Sequence, residues 1–197
     1  THDPIHKPVT EDTGPFVESL LEQMTLAEKI GQVIQPDRRQ ITVEDVITYN
    51  IGSVLSGGDS APESNDVHGW ASAVREYAQA ALQTRLKIPL IYGADCVHGH
   101  NNCRGAVVFP HNIGLGATRN AELVEEIGRV TAREMIATGI YWNYAPVLAV
   151  PRDIRWGRAY EGYSEDTELV TEFSVAMLRG LQGDDLAADD TVLGTPK

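Results

Sequence analysis

Long apolar runs are missing from this sequence of 197 residues. No stretch approaches the ~20 consecutive apolar residues that a membrane-spanning helix requires, so no membrane partner is expected. Cysteine is scarce. Cys96 and Cys103 are the whole supply, too few for a disulfide scaffold, and they leave the redox compartment open. Basic residues are also sparse: 16 Lys and Arg stand against 28 Asp and Glu, a formal charge of −12. Binding to a phosphate backbone needs clustered Lys and Arg, so no nucleic-acid partner is expected. There is no internal repeat, no low-complexity linker and no signal-like segment. The opening Thr1-His2-Asp3-Pro4 reads equally as a processed mature end or an arbitrary boundary.

What is present is ordinary for a globular domain. Apolar residues make up 42% and charged residues 22%, and the length suffices for one domain with a real core. Residues 1–15, with Pro4, Pro8, Gly14 and Pro15, read as an irregular lead-in. Phe16 to Met24 reads as a short helix. Thr25 and Glu28 form a capping box for a second helix, with Leu26, Ile30 and Val33 at helical spacing.

From there strands and helices alternate. Ile51 to Ser56 reads as a buried strand ending at Gly57-Gly58. A helix over Val67 to Arg85 puts Ala71, Val74, Ala78 and Leu82 on one face. Pro89 to Gly93 is the next strand, and a loop rich in His and Asn leads to a helix over Ala121 to Thr138. Asn120 caps that helix and Gly139 ends it. Tyr141 to Val150 is another apolar segment, Glu165 to Leu181 is helical up to Gly183, and Thr191 to Thr195 is strand-like. The alternation implies parallel βαβ units, in either a barrel or a doubly wound sheet. A parallel strand directly before Lys197 would leave an open sheet edge, so further protein is expected to cover it, from the same polypeptide or another.

Two segments carry unusual chemistry. The first is Gly93-Ala-Asp95-Cys-Val-His98-Gly-His100-Asn-Asn102, straight after a strand, where α/β folds bind ligands. The Asp95 carboxylate could accept hydrogen bonds from two sugar hydroxyls, cap a helix, or pair with a loop Arg. The second is Pro151-Arg152-Asp153-Ile-Arg155-Trp156-Gly157-Arg158-Ala-Tyr160-Glu161. Arg158 offers a rigid fork of donors to hydroxyls or to a carboxylate. Glu161 could orient a neighbouring arginine, and Trp156 could stack on a sugar face or fill a gap. Arg152 and Asp153 fit a structural ion-pair loop better. Lys197, at a strand end, could donate to hydroxyls as a compact cation.

Two other readings compete. Cys96, His98, His100 and Cys103, with His111 nearby, are possible zinc ligand types. Their spacing matches no common structural-zinc pattern, and alternate residues of an extended segment point to opposite faces. A Cys96–Cys103 disulfide is sterically possible. Gly114-Leu-Gly116-Ala-Thr-Arg119 is a partial dinucleotide fingerprint that no clear strand precedes, which makes it weak. Neither a metal nor a cofactor is expected.

Taken together, the segments resemble glycoside hydrolase family 3, the β-glucosidases and β-glucan exohydrolases. The matching stretches are Leu26-Ala-Glu-Lys-Ile-Gly-Gln32, Ile88-Pro-Leu-Ile-Tyr-Gly-Ala-Asp95, Val97-His-Gly-His-Asn-Asn102, Phe109-Pro-His-Asn-Ile-Gly-Leu-Gly-Ala117, Ala145-Pro-Val-Leu-Ala-Val150, Arg152-Asp-Ile-Arg-Trp-Gly-Arg158 and Tyr160-Glu-Gly-Tyr-Ser-Glu-Asp166. They cover nearly the whole chain in the family's order. The resemblance implies an α/β fold, a (β/α)8-like, TIM-type barrel. Residues 16–197 would supply roughly its first half as an incomplete domain.

It also implies that Asp95, Arg158 and Lys197 bind the sugar of the −1 subsite, with Glu161, Trp156 and His98 as supporting candidates. Pro196 stands where a small residue is usual. The family retains anomeric configuration, using an Asp nucleophile and a separate acid/base carboxylate about 5 Å apart. Both would lie beyond this chain, so no catalytic residue is assigned within it and the segment alone is expected to be inactive. The N-acetylglucosaminidase branch carries a different motif at Asp95 to His98, and glucosides or β-glucans are favoured over xylosides. A small apolar residue is usual at Cys96 and Cys103, which suits packing thiols. The expected partners are a β-glucoside or β-glucan oligosaccharide, the remainder of the barrel, and a second domain. The expected location is periplasmic or secreted. The alternatives kept open are a non-catalytic carbohydrate-binding module and a metal-binding protein.

Overall fold

The computed structural model describes residues 13–197; the lead-in expected over residues 1–15 therefore lies largely outside the described part. The architecture is α/β. Helices α1 (Gly14–Gln23), α2 (Leu26–Gln32) and α3 (Val43–Tyr49) precede β1 (Ser53–Ser56), α4 (Val67–Ala81), β2 (Ile91–Ala94), α5 (Asn112–Thr118), α6 (Ala121–Ala137), β3 (Trp142–Asn143), α7 (Thr167–Gln182) and β4 (Leu193–Gly194). The four strands form one parallel sheet in chain order, as in the first half of a (β/α)8 barrel.

Strand register sets the two faces of the sheet. Ser53 pairs with Ile91 and Ser56 with Ala94, and Ala94 in turn pairs with Asn143. Because strand side chains alternate, Tyr92 and Ala94 point toward the helices and are buried. The Tyr92 hydroxyl lies 2.7 Å from Ser56 Oγ. Ile91 and Gly93 take the other face, where Ile91 is 53% exposed. Tyr144 covers Gly93 so closely that a Cβ there would lie 2.1 Å from the Tyr144 hydroxyl, which is why no larger residue fits.

The core lies between the sheet and α4, α6 and α7. Val124, Ile127, Thr131 and Met135 of α6, spaced by three or four residues, meet Phe173, Met177 and Leu181 of α7, spaced by four. The axes come close enough that a Cβ on Gly180 would lie 2.1 Å from Glu125 O. On α4 the buried residues are Trp70, Val74, Tyr77, Ala80 and Ala81; of the expected 71/74/78/82 stripe only Val74 is among them, and Trp70, Tyr77 and Ala81 each lie one residue before the other three positions. The large Trp70 ring sets the phase, with its indole N–H held by Asn65 at 2.8 Å. The helix stops at Ala81 rather than Arg85, which leaves Leu82 39% exposed. Helix α1 begins at Gly14, since Pro15 suits a first turn.

The capping box on α2 is present. Thr25 N–H and Oγ1 donate to Glu28 Oε2 at 2.8 and 2.9 Å, and the Glu28 N–H reaches Thr25 Oγ1 at 3.3 Å. Arg85 clamps the same carboxylate through two donors at 2.9 and 2.8 Å. These bonds, Arg85's first, hold the Glu28 carboxyl well below its ordinary range, at about 2. A depressed carboxyl stabilises the fold above its unfolded pKa, near 4.3, and that contribution fades as pH falls toward 2. Glu28→Gln therefore lowers the thermal midpoint at pH near 7, and the gap to wild type closes between about pH 5 and 2. Melts followed by circular dichroism across that range check this; a gap independent of pH would contradict it. The apolar stripe of α2, with Leu26 at 75% and Val33 at 84%, is exposed among the described residues.

Candidate sugar-binding site

Asp95 is the first residue after β2, at the C-terminal end of the sheet, and its N–H donates to Ser56 O at 3.2 Å. The next peptide is clamped from the neighbouring strand. The fully buried Asn143 side chain accepts from Cys96 N–H at 3.0 Å and donates to Cys96 O at 3.0 Å. A side-chain amide thus replaces a backbone partner where β2 has ended, so both polar groups of the buried residue are satisfied.

Behind Cys96 runs a second chain of bonds. Thr138 Oγ1 gives its proton to Met135 O at 2.6 Å, so it accepts from His100 Nε2–H at 3.0 Å. His100 Nδ1 is then an acceptor, 3.2 Å from the Cys96 thiol. Burial pushes the His100 pKa down to about 4 and the Cys96 thiol up. Both groups are neutral near pH 7, and Cys96 is a packing thiol rather than a nucleophile.

The loop after β3 carries the second motif. Arg158 forks onto Glu161 with bonds of 2.7 and 2.8 Å. That clamp holds the Glu161 carboxyl below its ordinary range, and the Glu161 hydrogen bonds raise the Arg158 pKa further. The Glu161 side chain is only 13% exposed, against 62% for Arg158, so the acid is the anchor and the guanidinium the presented group. Asp153 pairs with Arg155 at 2.6 Å, a structural ion pair, and Arg152 reaches only Thr167 Oγ1 at 3.4 Å. Trp156 is 43% exposed.

Lys197 follows β4 and completes the arrangement. Its N–H donates to Pro146 O at 3.0 Å, its carbonyl accepts from Leu148 N–H, and its ammonium contacts the Asp95 carboxylate directly. The Asp95 charge acts on Arg158, behind the larger Glu161 influence, and the Lys197 charge acts on Glu161. The ends of β2 and β4 and the loop after β3 thus bring a carboxylate, an ammonium and a guanidinium within electrostatic range of one another. Such a set can exchange hydrogen bonds with several hydroxyls of one ring, because the carboxylate accepts while both cations donate.

His98 lies beside this patch. Its Nδ1 bonds Phe109 O at 2.8 Å and its ring stacks on His111 at 4.0 Å. The four residues of the zinc alternative have other partners. Cys96 and His100 pair with each other, Cys103 turns to Arg104 O, and His98 faces His111. Among the described residues no three of His, Cys, Asp and Glu are grouped to hold a metal ion. Both thiols are free and buried rather than joined to each other. Gly114 and Gly116 lie inside α5 rather than on a phosphate loop after a strand. A Cβ on Gly116 would meet Tyr163 O at 1.8 Å, so this glycine serves helix packing.

Sequence reasoning missed the Asn143 clamp. The available signal was a lone polar residue inside an apolar strand segment. It also left α5, and with it the place of His111, unassigned.

The glycosyl hydrolase family 3 N terminal domain matches residues 25–195. This chain belongs to glycosyl hydrolase family 3. Within the family, the sequence is similar to a lysosomal β-glucosidase of Dictyostelium discoideum, 35% identical across 90% of this chain and 24% of that protein. It is 33% identical to a periplasmic β-glucosidase of Salmonella typhimurium, across 90% of this chain and 22% of that protein. A solved exo-1,3/1,4-β-glucanase from a Pseudoalteromonas species superimposes with a TM-score of 0.86 at 43% identity, covering 97% of this chain and 25% of that one. The chain therefore spans about a quarter of the length of these family 3 relatives.

Proposed function

We propose that this chain is part of a retaining, exo-acting β-glucosidase or β-glucan glucohydrolase and supplies sugar-binding residues of its −1 subsite. The observation that carries the reading is the contact of Asp95 with Lys197 at two strand ends, with the Glu161-anchored Arg158 within electrostatic range on the loop after β3. Asp95 accepts from ring hydroxyls, and Arg158 and Lys197 donate to them. Those bonds strengthen as the ring distorts toward its cationic transition state, so they contribute to rate as well as to affinity. None of the acids matches the family's nucleophile motif, so in this reading both catalytic carboxylates lie beyond this chain. Residues 16–197 form one incomplete barrel domain. The rest of the barrel and a second domain complete it, from the same precursor or another chain. The names of the relatives support β-glucosidic substrates, and the periplasmic one supports a periplasmic or secreted location.

The test is to assay the full-length polypeptide that contains this sequence, and the 197-residue chain alone, on 4-nitrophenyl β-glucoside and the β-xyloside. The expected result is hydrolysis by the full-length polypeptide, faster on the glucoside and with retained configuration, and none by the segment. A folded full-length polypeptide that binds glucose without cleaving either substrate would instead mark a non-catalytic binding module.

A further inference from the structure

The two sugar-facing loops are joined by a column of three rings that the sugar contacts do not require. Phe109 N–H donates to His98 O at 2.9 Å, and His98 Nδ1–H donates back to Phe109 O at 2.8 Å. This reciprocal pair closes the neck of the loop that begins with Asp95 and fixes the plane of the His98 ring. His111, the residue before α5, stacks on that ring with centroids 4.0 Å apart and planes 29° apart. His111 also meets Tyr160 in a T-shaped contact, at 4.6 Å and 81°. Tyr160 belongs to the 3-10 turn Ala159–Glu161, which carries the anchor of Arg158. A second tie supports the same junction, since Asn112 Nδ2 donates to Glu161 O at 2.8 Å.

Resting on the functional reading above, we propose that the His98–His111–Tyr160 column positions the Arg158 turn against the Asp95 loop and so sets the spacing of the two sugar-binding groups. The three are positioning residues. Stacked rings resist both sliding and separation, and a misplacement of about 1 Å at a binding group can cost on the order of 100-fold in rate.

The column has a charge-sensitive centre. Burial first, and then His98, disfavour a proton on His111, while Glu161 favours one; the net direction is downward from the ordinary histidine value. The charged and titratable groups facing His111 are His98 from the Asp95 loop and Tyr160 and Glu161 from the 3-10 turn. Arg158 and Lys197 act on the same Glu161. His111 is therefore neutral near pH 7. On acidification a proton on His111 competes with Arg158 for Glu161 and places a cation against His98, so sugar binding weakens below the ordinary histidine range.

The test compares wild type, His111→Ala, Tyr160→Ala and His111→Phe in the full-length polypeptide. It measures kcat and KM for 4-nitrophenyl β-glucoside from pH 4 to 8, with a thermal midpoint for each protein. His111→Ala and Tyr160→Ala should each raise KM and lower kcat/KM by about 10-fold or more, with most of the protein still folded. His111→Phe, which keeps a ring but cannot take a proton, should restore most of kcat/KM and move its acid limb to lower pH. Tyr160 is 43% exposed, so its variant serves where His111→Ala fails to fold. An active wild type whose folded variants match it in KM and pH profile overturns this inference alone. A wild type that neither binds glucose nor cleaves the glucoside overturns the functional reading and this inference with it.

Discussion

Asp95→Asn in the full-length polypeptide lowers kcat/KM for an aryl β-glucoside by about 10²- to 10³-fold and leaves the fold in place. The magnitude follows from the chemistry of the pair it breaks. Each hydrogen bond to a charged acceptor is worth about 1.5–3 kcal/mol, and a carboxylate gripping two hydroxyls makes two of them. Asparagine keeps one oxygen acceptor and loses the charge, so about 3–4 kcal/mol of transition-state binding goes, at 1.4 kcal/mol per tenfold. Stability changes little by comparison. Asp95 sits at the end of its strand, and its contact with Lys197 is partly open to solvent, where ion pairs contribute about 0–1 kcal/mol. Steady-state kinetics with a thermal melt separate the two effects. A variant within threefold of wild type would contradict the assigned role.

Asn143→Ala has the opposite signature: it costs both stability and activity. The substitution strands a buried N–H and a buried C=O on Cys96, each at about 1–3 kcal/mol, so a total loss of about 2–6 kcal/mol is expected. Asp95, one residue away, loses its fixed backbone, and kcat/KM falls for that reason. Asn143→Asp distinguishes a hydrogen-bond clamp from simple space filling. The introduced carboxylate still accepts from Cys96 N–H, but it faces Cys96 O with no proton and is buried as a charge. Burial raises its pKa, so the variant gains stability relative to Asn143→Ala as pH falls and the protonated carboxyl donates to Cys96 O. Urea unfolding at pH near 7 and 5 measures this. Parallel pH dependence in the two variants would show that the amide's bonds are not what matters.

These contrasts mark how far the sequence could be read. Helix ends set by local chemistry were legible: the Thr25–Glu28 box, the Asn120 cap on α6, and Gly139 and Gly183 at positive φ. Helix α3 was missed although Thr42 and Asp45 form an equivalent box with bonds of 2.8 to 3.2 Å. Its seven residues are too few for the apolar period to stand out. Helix α5 was missed because Gly114 and Gly116 argue against a helix, and the reason for Gly116, the backbone of Tyr163, is remote in sequence. Asp95 and Arg158 stand out as charged groups in the segments that follow strands, and the sugar-binding roles of Asp95, Arg158 and Lys197 are what the family resemblance implies. The anchoring of Arg158 by Glu161 was also legible, being three residues distant on one turn. The Asn143 clamp was not, since it exists only once Ala94 and Asn143 are in register across two strands. The same holds for the ring column, whose members come from three separate segments.

One experiment reaches the core of this account: a crystal structure of the full-length polypeptide soaked with glucose. It should show one pyranose whose hydroxyls lie within about 3.2 Å of both the Asp95 carboxylate and the Arg158 guanidinium. An ordered glucose bound elsewhere, or one that meets only one of those two groups, would contradict it.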